Sequence, residues 1–102
     1  MELLPDDLRS RLPPLHAQDR DMDPIVLARY FLSGTDLVWY PIEGQSDAGD
    51  FMFFGFVLGP NGFHCFRLSE LEAARGPDGQ TVMRDAAFIP GRLTDVVPAP
   101  DL

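Results

Sequence analysis

Hydrophobic side chains occupy both faces of the segment from Asp50 to Leu58, which carries the strongest strand pattern in the chain. Successive residues of a strand point to opposite faces, so phenylalanines at odd and at even positions line the two sides of one strand. A strand that is apolar on both faces is typical of a covered, central position in a sheet. The sequence Gly59-Pro60-Asn61-Gly62 follows, and its Asn-Gly pair predicts a hairpin turn into a returning strand from Phe63 to Arg67.

Two further strands are predicted upstream, where β-branched and aromatic residues are dense. The first runs from Ile25 to Leu32 and the second from Leu37 to Ile42, with a turn between them. Pro41 cannot donate to a sheet ladder, so it indicates an edge strand or the end of a strand. The polar segment from Glu43 to Asp50 is then predicted to be an acidic, mobile loop.

Short helices are predicted near both ends of the chain. Leucines spaced every four residues, after a proline that suits a first helical turn, predict a helix from Pro5 to Arg11. The pattern Ser69-Glu70-Leu71-Glu72 matches a capping box and predicts a second helix, which Gly76 and Pro77 end. A last strand is expected between Thr81 and Ile89, and a helical turn between Leu93 and Val97.

These elements predict an α+β fold with a four- or five-stranded, mainly antiparallel sheet and two short helices. The connections are too short for parallel crossovers, which favours antiparallel pairing. We expect one domain over residues 1–97, since 102 residues provide one core. Residues 98–102 are expected to form a flexible C-terminal tail.

The net charge of the chain limits the classes of molecule that it can be expected to bind. The chain has a formal net charge of −8, and its eight basic residues are all arginine. Residues 1–50 contain ten acidic residues and four arginines, a net of −6, and residues 51–102 contain six and four, a net of −2. A domain that binds nucleic acid directly should present a basic face to the phosphates, so this class is disfavoured. An acidic surface suits a basic protein partner, for example one that itself binds nucleic acid.

Cysteine usage and hydropathy predict a cytoplasmic protein without membrane contact. Cys65 is the one cysteine, which excludes an internal disulfide. The first residues lack the basic and apolar regions of a signal peptide. The longest apolar run, from Phe51 to Gly59, is far shorter than the roughly 20 residues that a membrane-spanning helix requires.

Several short motifs follow one another in order along nearly the whole chain. They are the Leu-Arg-x-x-Leu-Pro-Pro-Leu pattern at Leu8 to Leu15, Asp23-Pro24-Ile25-Val26, Trp39-Tyr40-x-x-Glu43, Asp50-Phe51-x-Phe53-Phe54-Gly55, Leu68-Ser69-Glu70-Leu71-Glu72, Arg75-Gly76 and Arg84-Asp85. With these motifs the chain resembles the bacterial family catalogued as domain of unknown function 2958. The resemblance implies a small accessory protein of plasmids, integrative elements or phages, often encoded beside transfer, replication or anti-defence genes. It implies no activity, cofactor or catalytic residues.

Three carboxylates flank the predicted acidic loop, with two aromatic residues just before it. Glu43, Asp47 and Asp50, together with Trp39 and Tyr40, form the candidate binding site, at the solvent-exposed rim of the sheet. The same carboxylates could instead hold a catalytic metal ion if burial separated their pKa values. In a third interpretation, Glu43 and Asp50 brace the loop by pairing with arginines.

The candidate partners for such bracing are Arg75 and Arg84. Together with Asp85, these arginines are predicted to form a structural network that holds the C-terminal segment against the sheet, because the guanidinium fork matches carboxylates. The adjacent His64 and Cys65 point to opposite faces of a strand, which argues against a thiol nucleophile with its base. No motif for a metal, a cofactor or a catalytic residue set is present.

The leading functional hypothesis is therefore a non-enzymatic protein-binding accessory protein of a mobile genetic element. Its specific form is an anti-defence inhibitor, anti-CRISPR or anti-restriction, whose carboxylates occupy a nucleic-acid groove. The alternative is a small metal-dependent enzyme with a carboxylate cluster around Glu43 to Asp50. A regulatory nucleic-acid binder is a third option. The sequence leaves the partner and the oligomeric state open.

Overall fold

The computed structural model describes residues 2–102, with the backbone alone at residue 99. Met1, which the predicted domain of residues 1–97 includes, lies outside the described residues. The described residues form three short α-helices, seven strands and a 3-10 helix. In chain order they are α1 (Asp6–Arg11), β1 (Ile25–Val26), β2 (Tyr30–Leu32), β3 (Val38–Asp47), β4 (Asp50–Leu58), β5 (Gly62–Arg67), α2 (Leu68–Ala73), β6 (Val82–Arg84), β7 (Gly91–Arg92), α3 (Leu93–Val96) and the 3-10 helix Ala99–Asp101.

The main sheet has five antiparallel strands in the order β5-β4-β3-β2-β6, and β1 and β7 form a separate two-stranded sheet. The predicted α+β class and the mainly antiparallel sheet are confirmed. The two-stranded sheet was not predicted as a separate unit, because its strands have two residues each and lie far apart in sequence. No helix among the described residues is long and apolar enough to cross a membrane.

Both faces of the main sheet are covered, and β4 contributes to both. One face packs Phe53 and its neighbours against leucines of α1 and α2. The other packs Phe56 against Val26 of β1 and Leu93 of α3. The prediction of a strand covered on both sides is confirmed for β4, although β3 occupies the centre of the sheet.

The prediction of an acidic loop from Glu43 to Asp50 is wrong. β3 continues through it to Asp47 and pairs with β4 until Asp47 lies opposite Asp50. The turn consists of Ala48 and Gly49, with φ of 49° and 82°. Positive φ at both positions matches the twist of a two-residue hairpin, but alanine is unusual there and gave no turn signal.

Pro41 lies inside the central strand, where an edge or a strand end was predicted. The pairing of β3 with β4 shifts register between Pro41 and Glu43, which marks a β-bulge. A bulge is where a sheet tolerates a residue without a backbone N–H. The Pro41 carbonyl accepts the Leu27 N–H at 3.0 Å, outside the ladder.

The strand predicted from Ile25 to Leu32 is divided. Ile25–Val26 pairs with β7, whereas Tyr30–Leu32 pairs with β3 and β6 in the main sheet. The predicted strand from Thr81 to Ile89 is likewise shorter, because β6 pairs with β2 over three residues. The last predicted helical turn is confirmed as α3. The flexibility of residues 98–102 stays a prediction.

The prediction that Ser69 begins a capping box for the second helix is also wrong. α2 begins at Leu68 with Arg67 as the N-cap residue, two positions before the predicted N-cap at Ser69. Glu70 accepts the Arg67 backbone N–H at 3.1 Å, while the Ser69 hydroxyl donates to Asp50 at 2.6 Å. The helix ends at Ala73, before Gly76.

Candidate functional site

The two aromatic residues of the candidate binding site are buried. Trp39 is 9% exposed and Tyr40 is 3% exposed. Trp39 faces the core formed with α1 and α2, and Tyr40 faces the core formed with α3. The sequence had suggested that these two residues meet solvent at the rim of the sheet, but both lie in the cores.

Glu43 is a buried anchor for the chain that follows α1. Its side chain is 2% exposed, and its carboxylate accepts the backbone N–H groups of His16 at 2.8 Å and Gln18 at 2.6 Å. The Gln18 side chain continues the attachment, donating to the Ile42 carbonyl at 2.9 Å and accepting the Ile25 N–H at 2.9 Å. Glu43 thus fixes residues 16–18 to the sheet.

Asp50 connects the β3–β4 hairpin to the start of α2. Its carboxylate accepts the Ser69 hydroxyl at 2.6 Å and the Ser69 N–H at 3.2 Å. The Ser69 hydroxyl, and after it the Phe51 N–H, hold the pKa of Asp50 below its ordinary value. Asp47 lies beside it and pairs with Arg67 at 3.0 Å.

The same arrangement recurs at α3. Asp23 accepts the Thr94 hydroxyl at 2.7 Å and the Thr94 N–H at 2.9 Å, and Asp21 pairs with Arg92 at 3.1 Å. The Thr94 hydroxyl lowers the pKa of Asp23 below its ordinary value. In each case an aspartate distant in sequence satisfies the free N–H of a helix start. The sequence signal, overlooked at first, is Arg-Leu-Ser/Thr-Glu/Asp at residues 67–70 and 92–95.

The contacts of Asp50 with Ser69 and of Asp23 with Thr94 predict a specific loss of stability in acid. Because Asp23 and Asp50 have folded pKa values below the ordinary 3.8, their contribution is present above that pH and is lost as the pH falls through the folded values. In urea titrations between about pH 7 and pH 3, Asp23→Asn/Asp50→Asn should have a lower midpoint than the wild type at pH 7 and a smaller decrease in acid. Asp36→Asn/Asp78→Asn, the same charge change on exposed aspartates, should keep the wild-type profile. Identical profiles for the two double variants would contradict the assignment.

The geometry gives no support to the metal-dependent enzyme. The Glu43 carboxylate is engaged by two backbone amides, and Asp50 by Ser69. Across residues 2–102, no group of three or more His, Cys, Asp or Glu side chains is placed to hold a metal ion.

The members of the predicted structural network make separate contacts. Arg75 donates to the carbonyls of Glu72 at 2.7 Å and Ala74 at 2.8 Å. Arg84 donates to the Glu2 carbonyl at 3.4 Å, and Asp85 pairs with Arg29 at 3.5 Å. The hydrogen-bond partners described for Glu43 and Asp50 are amides and a hydroxyl. The charge of Arg67, an arginine other than the two predicted, also lowers the pKa of Asp50.

A cleft lies between the segment 15–24 and the β4–β5 hairpin. It consists of two adjoining cavities of about 150 Å³ and about 340 Å³, which share Asp19, Glu43 and Phe54. The remaining lining residues are Leu15, His16, Gln18, Asp21, Met22, Pro24, Ile42, Phe63 and Cys65.

The cleft combines exposed apolar side chains with a charged rim. Met22 is 98% exposed and Phe63 is 46% exposed. The Phe63 ring stacks on Phe54 with centroids 5.7 Å apart. Asp19 and Asp21 lie on the rim. Exposed apolar side chains surrounded by polar groups are typical of protein-binding surfaces.

Sequence reasoning missed this cleft because its walls are distant in the chain. His16 and Cys65 line one cavity, although 49 positions separate them. The attachment of residues 16–18 to Glu43 creates that proximity. The exposed Met22, within a polar segment, is the one local signal that could have indicated it.

The family model described as "Protein of unknown function (DUF2958)" matches residues 3–96. No curated protein and no solved structure matches the chain.

Proposed function

We propose that this chain, which belongs to the family of proteins of unknown function DUF2958, is a non-enzymatic accessory protein that binds another protein through the cleft. The observation that carries the proposal is the exposure of Met22 and Phe63 at the mouth of the cleft. An exposed large apolar side chain contributes to binding when a partner covers it, and a rim of polar groups fixes the orientation.

The charge favours a basic partner segment that inserts an apolar side chain. The chain has a net charge of −8, and the segment 15–24 contributes three aspartates and one arginine beside the apolar floor. Opposite charge on the partner accelerates association and excludes acidic competitors, while apolar burial provides most of the affinity.

The specific form of the proposal is an anti-defence protein of a mobile genetic element, plasmid or phage, acting in the cytoplasm. Its target would be a basic nucleic-acid-binding protein, such as a CRISPR or restriction component, whose basic groove accepts carboxylates. The acidic residues of the first half are distributed over α1, segment 19–23, the β2–β3 turn and the end of β3. The proposal places the contact at the cleft, where acidic and exposed apolar side chains lie together.

Affinity capture from a lysate of the host cell, at low and moderate salt, tests the proposal. The wild type should enrich basic proteins, and Met22→Lys should lose them because it replaces an apolar anchor with a charge that repels the partner. Ile89→Lys is the matched control, since Ile89 is 80% exposed and does not line the cleft. Failure of the wild type to enrich any protein, or equal capture by the two variants, would overturn the proposal.

A further inference from the structure

The strand β5 leaves one side of the main sheet open. It is the last strand in the order β5-β4-β3-β2-β6, and β4 is its one partner within the described residues. Alternate residues of such a strand direct their N–H and C=O groups away from the sheet, where another strand can pair with them. Phe63, His64 and Cys65 are exposed along this edge.

This edge has few of the features that usually prevent pairing with another chain, since the one charged residue of β5, Arg67, stands at its end and pairs with Asp47 at 3.0 Å. Proteins protect open edges with charged residues, prolines or bulges. The sequence 51–66 contains no Asp, Glu, Lys or Arg, and β5 contains no proline. Its register with β4 is unbroken over six pairs. The opposite edge, β6, is three residues long.

The absence of charge identifies the partner that fits. Two chains that each carry −8 repel one another wherever their acidic residues meet, and the β4–β5 hairpin is the surface where they can meet without such contact. A basic partner gains nothing from residues 62–66 of β5, which contain no Asp or Glu. The strand therefore favours a second copy of the chain.

The side chains of β5 are also complementary to themselves. In an antiparallel pair related by a two-fold axis at His64, Phe63 lies opposite Cys65 of the partner subunit and Gly62 lies opposite Phe66 of the partner subunit. Each phenylalanine thus meets a small residue, while His64 meets its own copy at the axis, and cross-strand pairs of complementary size stabilise a sheet. We propose that two copies pair through β5 in this register, which joins two five-stranded sheets into one continuous sheet.

The dimer would carry both clefts on the same face, because a two-fold axis perpendicular to the sheet preserves its faces. The stability of the dimer also depends on salt in the opposite direction to the binding of a basic partner in the cleft. Salt screens the repulsion between two acidic chains and strengthens the dimer, whereas it weakens the attraction of a basic partner. The inference therefore goes beyond the proposed function and can fail independently of it.

Sedimentation of the purified chain from about 1 µM to 1 mM, in about 50 mM and 500 mM NaCl, tests the inference. The mass should rise from 11.4 kDa towards twice that value, at lower protein concentration in the higher salt. A wild type that remains monomeric throughout, or a dimer that weakens as salt is added, would overturn it.

His64→Glu tests the register, because it places two carboxylates opposite each other at the axis. The dissociation constant should rise at least about tenfold. Ile89→Glu, the same charge change at another exposed position, should leave it unchanged. Equal weakening by both variants would exclude the β5 contact.

Phe63→Cys provides a readout that does not require His64→Glu to be stable. Its thiol lies opposite Cys65 of the partner subunit, so mild oxidation should link two chains. Oxidation that gives no linked dimer at concentrations where the wild type associates would overturn the register.

Discussion

Gly55→Ala should destabilise the protein by about 3 kcal/mol or more. A Cβ at this position would collide with the Tyr40 carbonyl oxygen and lie 2.8 Å from the Pro41 Cα. Both obstacles are backbone atoms of β3, so relief requires the two central strands to separate. The expected loss is a large part of the total stability of a small domain, which is typically 5–15 kcal/mol.

Urea unfolding followed by circular dichroism measures this effect. Gly62→Ala is the matched control, since its Cβ would make an ordinary contact with His64 at 3.6 Å. It should change the free energy of unfolding by less than about 0.5 kcal/mol. If Gly55→Ala unfolds at the wild-type midpoint, the close approach of β3 and β4 at the bulge is not present in solution.

Glu43→Gln should have the second largest effect, a loss of about 2–3 kcal/mol. The carboxylate accepts two backbone N–H groups in a buried position. A glutamine has one oxygen, so its NH₂ group must face one of these donors, which leaves that donor without an acceptor. Residues 16–18 should detach from the sheet and change the shape of the cleft.

Hydrogen exchange locates this effect. The amides of His16 and Gln18 should lose protection in Glu43→Gln, while those of β4 should keep theirs. Asp47→Asn is the control, because it removes a partly exposed ion pair with Arg67, worth at most about 1 kcal/mol. Unchanged protection at His16 and Gln18 would show that Glu43 does not anchor the segment.

Local patterns predicted the parts of the fold that local chemistry determines. The two apolar faces of β4, the Asn-Gly turn and the apolar stripe of α1 each depend on residues close in the chain. The strand at Glu43 to Asp47 was missed because its polar composition resembles a loop. Its pairing with β4 and a turn at Ala48 with positive φ determine its structure.

The partners of the candidate-site carboxylates were missed for a related reason. The carboxylates of the segment from Glu43 to Asp50 suggested either a metal ion or arginine partners. Their partners are backbone amides and a hydroxyl that the fold brings from 19 to 27 positions away. The sequence shows that a carboxylate is present. Contacts between residues distant in the chain determine whether that carboxylate anchors a backbone segment or binds a metal ion.

This distinction matters for function, because it moves the proposed binding surface. Glu43 and Asp50 hold the structure together, and Trp39 and Tyr40 lie in its cores. Two of the exposed large apolar side chains, Met22 and Phe63, lie instead at the mouth of the cleft.

The most direct test is the dissociation constant between the purified chain and a captured partner, compared across three variants. Binding through the cleft predicts that Met22→Lys weakens the complex at least about tenfold, while Ile89→Lys and Asp47→Asn leave it unchanged. Equal affinity for Met22→Lys and the wild type, with a loss for Asp47→Asn, would contradict it and place the contact at the β3–β4 turn.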